Sequence, residues 1–300
     1  MRELRLGLIG LDTSHVDSLA SHFNDAGDPH RVAGGRIVAA FPGGSADFPL
    51  SANRVSGYTE KLRTKYRVEM LGSPREVADA ADAVILTSVD GRVHRTQWAA
   101  IAAVGKPVFI DKPFATTSAD ARAMADLARQ HGARVFSSSS IRFAGAFQSA
   151  LADASGGNIF GADFFGPISW QETQPGFYWY GVHTVEALYA AFGRGCATVS
   201  VFSTPQDVAI VARWRDGRVG VIRGNLTGNY AFGGVLQREK SRQWIDFAAG
   251  TPSDVGVAQA MMAFFQGGPS PVDLEDTVEI TRFLEAANLS MSEGGRTVNL

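Results

Sequence analysis

Cysteine is nearly absent: Cys196 is the only one among 300 residues. A single thiol closes no intrachain disulfide and builds no thiolate metal cluster, so nothing indicates an oxidising compartment. A surplus of one charge is lacking too. The 28 Lys and Arg against 30 Asp and Glu leave a net charge of -2, and no long charge run offers itself to nucleic acid or an anionic membrane. Long apolar runs are also missing. Leu6 to Leu11 is shorter than a signal-peptide core and is followed by Asp12, and no stretch approaches membrane-spanning length. These absences lead to the expectation of a cytoplasmic protein with neither nucleic acid nor membrane as partner. Metal binding is not expected either, because the six histidines form no ligand pair at i, i+4.

What is present is an ordinary globular composition, 45% hydrophobic and 19% charged, over a length that suggests about two domains. In the first half, short apolar runs alternate with helical spacing. Strands are expected at Leu4 to Ile9, Arg36 to Phe41, Arg67 to Leu71, Ala83 to Thr87, Val108 to Ile110 and Arg134 to Ser138. Between them, Val16, Leu19, Ala20 and Phe23 mark one helix, for which Ser14 is the expected cap with Asp17 three residues on. A second helix is expected near Tyr58 to Tyr66, a third starts at Ser73, Pro74 and Glu76, a fourth runs from Arg92 to Val104, and a fifth starts at Ser118 and stops at Gly132. Six buried strands separated by helices indicate a doubly wound parallel (Rossmann) domain, taken as residues 1–140.

From Arg142 the character changes to strands joined by tight turns. These are Gly166 to Thr173, Ala197 to Ser203, Val208 to Trp214, Val219 to Leu226, Ala231 to Glu239 and Arg242 to Phe247, with Asp216-Gly217 as a hairpin signal. Helices are expected at Phe143 to Ala152, His183 to Phe192, Asp254 to Gln266 and Leu274 to Met291. Residues 141–300 therefore read as an α+β domain with a large, mainly antiparallel sheet. Its apolar strands Ala197 to Ser203 and Val208 to Val211 suit an open face that pairs with a second copy, making a homo-oligomer.

Two stretches carry chemistry. In Gly105 to Thr117, GKPVFIDKPFATT, a β-branched and aromatic strand ends abruptly in Asp111, Lys112 and Pro113. Ligands of open α/β sheets bind beyond the carboxyl ends of the strands, so Lys112 stands where a reacting group would lie. A lone lysine there can equally be a solvated charge closing a strand. In Gly176 to Tyr189, GFYWYGVHTVEALY, an aromatic-rich loop leads into His183 at a helix start, with Glu186 on the same face at i, i+3 and able to orient the imidazole. The alternative is a packed histidine with one satisfied hydrogen bond. The first strand-helix turn, where a dinucleotide pyrophosphate would sit, reads Gly10, Leu11, Asp12, Thr13, Ser14, His15; against G-x-G-x-x-G only the first glycine survives. The tail of the second strand has no acid for a ribose diol, and Ser45 is a candidate donor to a 2′-phosphate.

In their order and spacing these pieces resemble the Gfo/Idh/MocA oxidoreductases, NAD(P)-dependent enzymes that mostly act on sugars, cyclitols and related polyols. Leu6 to Gly10 resembles the first strand and turn, and Gly105 to Thr117 the family's G-K-x-V-x-x-E-K-P with Asp111 for Glu. Gly181 to Leu188 resembles its G-x-H-x-x-D, with Glu186 for Asp, and Leu284 to Leu300 its closing A-A-x-x-S-x-x-x-G-x-x-V. The resemblance implies NAD or NADP as cofactor and a small carbohydrate-like substrate. It implies that Lys112 bonds the reacting hydroxyl and the cofactor ribose, that Pro113 holds the turn, with a cis peptide as one option, and that His183 is the general base. Gly10, Asp12, Thr13, Ser14, His15, Thr87, Ser88, Asp111, Lys112 and Pro113 then fall to the cofactor, and Arg142, Trp170, Gln171, Tyr178 and Tyr180 to the substrate. Departures are Asp12 and His15 for the missing glycines, Trp179 where an acid is common, and His94 two residues beyond the place of the histidine in T-P-N-x-x-H. They leave open a non-catalytic relative that binds a ligand or partner, and a cofactor-assisted glycoside-cleaving enzyme.

Overall fold

The computed structural model describes residues 2–300. The chain divides into two compact units, the first made of residues up to 115, 119–138 and 257–274, the second of 116–118, 139–256 and 275–300. A single boundary after residue 140 does not describe this division, because part of the C-terminal half returns to the first unit.

The first unit is built on β1 (Leu4–Ile9), α1 (His15–Asn24), β2 (Gly35–Phe41), α2 (Pro49–Lys65), β3 (Glu69–Met70), α3 (Pro74–Ala80), β4 (Ala83–Leu86), α4 (Gly91–Ile101), β5 (Val108–Asp111), α5 (Ser118–His131) and β6 (Val135–Ser138). The strands form one parallel sheet in the order β3-β2-β1-β4-β5-β6. β4, β5 and β6 are buried along their whole length, so none shows an alternation: β4 is apolar throughout, while β5 ends in Asp111 and β6 in Ser137 and Ser138. The strand order reverses at β1 and β4, so the crevice beyond their carboxyl ends is the switch point where such sheets bind ligands.

Three local expectations change. Ser14 precedes α1 but has helical dihedrals (φ -62°, ψ -21°) and no capping bond from its side chain, and Asp17 pairs with Lys61 instead. α2 starts at Pro49, nine residues before Tyr58, because Pro49 supplies a first-turn φ and Ser51 and Leu62 anchor its buried side. The third strand shrinks to Glu69 and Met70.

The second unit continues with α6 (Gly145–Ala152), β7 (Ile159–Pro167), α7 (Gly181–Phe192), β8 (Cys196–Ser203), β9 (Asp207–Trp214), β10 (Val219–Asn225), β11 (Gly233–Arg238), β12 (Arg242–Asp246), α8 (Ser253–Phe265), α9 (Leu274–Ser292) and β13 (Val298–Asn299). Its seven strands run in the order β12-β11-β7-β10-β9-β8-β13, antiparallel except for β7 beside β10. β7 ends at Pro167 rather than Thr173. Pro167 and the buried Ile168 close it, and the glycines Gly161 and Gly166 had hidden its alternation from the sequence.

α7 has nine buried residues out of twelve, so it is a core element rather than a surface helix. Leu188 packs so close to Gly220 that a Cβ there would lie 2.8 Å from it. The rings of Phe147, Phe164 and Phe247 meet at 4.9 to 5.8 Å. α8 passes from one unit to the other: Phe264 stands edge-on to Phe136 of β6 at 5.0 Å, and Arg134 donates to the Phe264 and Gly268 carbonyls.

Candidate active site

At the crest of the first sheet, β1 ends in Gly10 with φ +90°, and a Cβ there would lie 2.2 Å from Ser88 Oγ. Glycine is required by the close approach of the loop after β4. The Gly10 and Leu11 amides donate to the Phe41 and Pro42 carbonyls at 2.9 and 2.8 Å, so the tail of β2 folds over the turn. Asp12, which the missing glycine had made suspect as a repulsive charge, is fully buried and serves structure. Its Oδ1 accepts from the Val89 amide at 2.8 Å and its Oδ2 from Ser51 Oγ at 2.6 Å, while Ser51 Oγ accepts from the Ser45 amide at 2.8 Å. One carboxylate thus ties together the turn after β1, the start of α2 and the loop after β4. Burial pushes its pKa up against the opposing pull of these donors.

Thr87 and Ser88 are likewise committed to the protein. Thr87 Oγ1 donates to the Gly10 carbonyl at 2.7 Å and Ser88 Oγ to Gln97 Oε1 at 2.8 Å. Both hydroxyl protons therefore support the turn and the loop after β4. His94, out of register in the sequence, joins two loops: its Nε2 meets the Ser88 carbonyl at 2.7 Å and its Nδ1 that of Phe114 at 3.2 Å. Thr13 is buried and its Oγ1 lies at 3.5 Å from the His15 amide, while Ser14 is exposed.

β5 carries Asp111 and Lys112 to the same crest. Asp111 Oδ1 accepts from the Lys112 amide at 2.8 Å and its Oδ2 meets His15 Nδ1 at 2.5 Å. Desolvation works against the Asp111 charge, but the facing His15 and Lys112 outweigh it and hold the carboxyl below its usual range. Lys112 is buried, and desolvation pushes its ammonium down, aided by Arg54 and opposed by Asp111. The Lys112–Pro113 peptide is cis.

Three features of this crest fit a dinucleotide. The Asp12 carboxylate is bonded inward rather than facing a phosphate. Ser45 Oγ, at the end of β2 where a ribose would lie, is buried without a hydrogen-bond partner. His15 offers a half-buried ring on the first turn of α1, whose N-terminus favours anions.

In the second unit His183 lies on the first turn of α7, and its Nδ1 meets Ser139 Oγ at 2.6 Å. Glu186, expected to orient that ring, is buried and accepts from Arg142 Nε at 2.8 Å. The orienting contact on Nδ1 therefore comes from the serine run that ends β6. Arg142 keeps one NH2 buried without a partner. Tyr180 and Phe232 stand edge-on to the imidazole at 5.4 and 5.6 Å, and Tyr180 to Tyr230 at 5.9 Å. His183 lines a cavity of about 240 Å³ with Ser140, Tyr230, Phe232, Asp246 and Ser253 among its other walls.

The remaining expected substrate residues fare unequally. Tyr178 is a core residue: it is fully buried, donates to the Thr281 carbonyl at 3.0 Å, and has its pKa driven up by burial. Trp170 is half-exposed against Phe177, and Gln171 pairs with Gln174 in the same loop. Ser139, Tyr230, Phe232 and Asp246 were not anticipated. Only the run Ser137 to Ser140, polar residues closing an apolar strand, offered a signal. Among the described residues no three His, Cys, Asp or Glu side chains are grouped to hold a metal ion, and no helix is long and apolar enough to cross a membrane.

Comparison with known proteins adds three results. Residues 51–139 match the model of an oxidoreductase family described by its NAD-binding Rossmann fold. An inositol 2-dehydrogenase from Cereibacter sphaeroides is 39% identical over 132 residues, which is 44% of this chain and 35% of the relative's length. The whole fold is shared with scyllo-inositol dehydrogenase from Lactobacillus casei, solved with NAD(H) and scyllo-inositol (TM-score 0.80, 14% identity, 99% of both chains). It is equally shared with myo-inositol 2-dehydrogenase from Lactobacillus plantarum (TM-score 0.80, 15% identity, 100% of both chains).

Proposed function

We propose, from the match of residues 51–139 to the Gfo/Idh/MocA family model, that this protein transfers hydride between a nicotinamide cofactor and a hydroxyl or keto carbon of a sugar- or cyclitol-like substrate. The observation that carries the reading is His183 on the wall of the cavity of about 240 Å³. Tyr230 and Phe232 suit the C–H faces of a ring, and the Asp246 carboxylate with the Ser140 and Ser253 hydroxyls suits its hydroxyls. Among the described lining residues none is cationic, which favours a neutral polyol over an acid.

Bound nicotinamide supplies the hydride acceptor. In the tautomer whose Nδ1–H donates to Ser139 Oγ, Nε2 of His183 is the basic nitrogen that takes the hydroxyl proton. The resemblance assigns Lys112, buried at the end of β5 with its ammonium pushed down by desolvation, the hydrogen bond to the reacting hydroxyl. NAD is the expected partner by analogy with the family model. Titration with NAD, NADH, NADP and NADPH, followed by a polyol panel, tests the reading. Binding of one pair with turnover of a cyclic polyol supports it, and absence of any binding up to millimolar concentration ends it. Lys112→Ala and His183→Ala are each expected to lower kcat by about a hundredfold to ten-thousandfold.

The same reading puts the protein in the cytoplasm as a homo-oligomer, with a second copy on the open face of the seven-stranded sheet. Trp244, Val235, Asp163, Val221 and Val211 line up there across five strands through registered neighbours. Trp244 is 66% and Phe202 60% exposed, large aromatic surfaces for a face left to water.

A further inference from the structure

Two departures from the family pattern, His15 for a glycine and Asp111 for a glutamate, touch each other. His15 Nδ1 lies 2.5 Å from Asp111 Oδ2, although the residues are far apart in sequence and come from different strand-helix units. A packing histidine would be buried on all sides; this ring is 31% exposed, and among the described residues its one hydrogen-bond partner, Asp111, is on Nδ1. A solvated histidine would not be gripped by a fully buried carboxylate. The amides that a glycine-rich turn would offer to phosphate are partly spent here, Gly10 on Phe41 and Leu11 on Pro42.

We propose that His15 and Asp111 act as one phosphate-orienting pair: Asp111 holds the imidazole through Nδ1 at the first turn of α1, and Nε2 binds the pyrophosphate of the dinucleotide. This rests on the nicotinamide-dependent reading above. The pair adds a side-chain donor at a position where a glycine would offer only its amide. Nδ1–H goes to Asp111, so Nε2 donates to phosphate only when the ring also carries its second proton. Dinucleotide binding therefore draws a proton from solvent onto Nε2, and affinity falls as pH rises.

Other charges near the ring do not supply this linkage. Lys112 and Asp111 belong to the β5 crest, and Arg54 of α2 acts on Lys112. Lys61 and Lys65 of α2 are paired with Asp17 and Asp25, Asp12 is bonded to Ser51 and Val89, and β2 carries only the exposed Arg36. Asp111 positions the ring, and His15 contacts the ligand.

Isothermal titration of the unaltered protein with NAD, in buffers of different ionisation heat between about pH 6 and 8.5, counts the protons taken up. Net proton uptake on binding within that range supports the pair, and no uptake anywhere in it overturns it. His15→Gln is expected to weaken NAD about tenfold to a hundredfold at the acid end and to remove the pH slope. Asp111→Asn is expected to remove the same slope, and the double substitution to be no worse than His15→Gln. Equal NAD affinity and slope in His15→Gln, or strictly additive losses, refute the pair while leaving the functional reading intact. Absence of NAD and NADP binding by the unaltered protein at every pH refutes both.

Discussion

Asp12 looks in the sequence like damage to a phosphate-binding turn, and its neighbours reverse that judgement. Its two oxygens hold Val89 and Ser51, so Asp12→Ala leaves a buried amide and hydroxyl without acceptors. A loss of about 2 to 5 kcal/mol is expected in urea unfolding, more than for an exposed aspartate such as Asp273. Cys196 makes a second residue-scale test. Burial, helped by Glu279, pushes its thiol up to about 12. The folded state therefore holds the thiol proton more tightly than the unfolded one, a contribution present below the unfolded pKa and lost as pH rises from about 9 towards 12. A disulfide exchange reagent at pH 8 is expected to modify Cys196 only at the rate of unfolding. Composition told that the cysteine was solitary. Its inertness depends on neighbours from α9 that no local pattern reveals.

Among the elements, those with strong periodicity were legible and those defined by partners were not. The parallel strands β4, β5 and β6 stand within a residue of the expected bounds because an unbroken apolar run bounded by turns has few other uses. Lys112 and His183 could be singled out because strand and helix ends announce themselves. β7 could not be placed, since its buried glycines and Asp163 gain meaning only beside β10 and β11. The same limit hid Ser139, Tyr230 and Asp246, which come together through pairing of distant segments rather than through spacing. α8 is the sharpest case. Its extent was expected from Asp254 to Gln266, but its choice of Phe136 and Arg134 as neighbours was not legible. Phe264→Ala is expected to cost about 3 to 5 kcal/mol and to loosen amide protection first in β6, as read by hydrogen exchange.

At the scale of the whole molecule, the open sheet face sets a test of assembly. Val211→Glu or Trp244→Glu places a charge in the row of registered neighbours, and sedimentation is expected to show smaller particles with an unchanged fold by circular dichroism. Unaltered protein sedimenting as a monomer at all concentrations would remove that expectation.

The return of residues 257–274 to the first unit bears on how the chain is made. A ribosome that has released residues up to 138 has finished every strand of the parallel sheet but not the segment that covers Phe136. The first unit therefore waits, with an apolar strand uncovered, until synthesis passes residue 274. A fragment ending at residue 138 is expected to aggregate on expression, and adding residues 257–274 back in trans to raise its soluble yield.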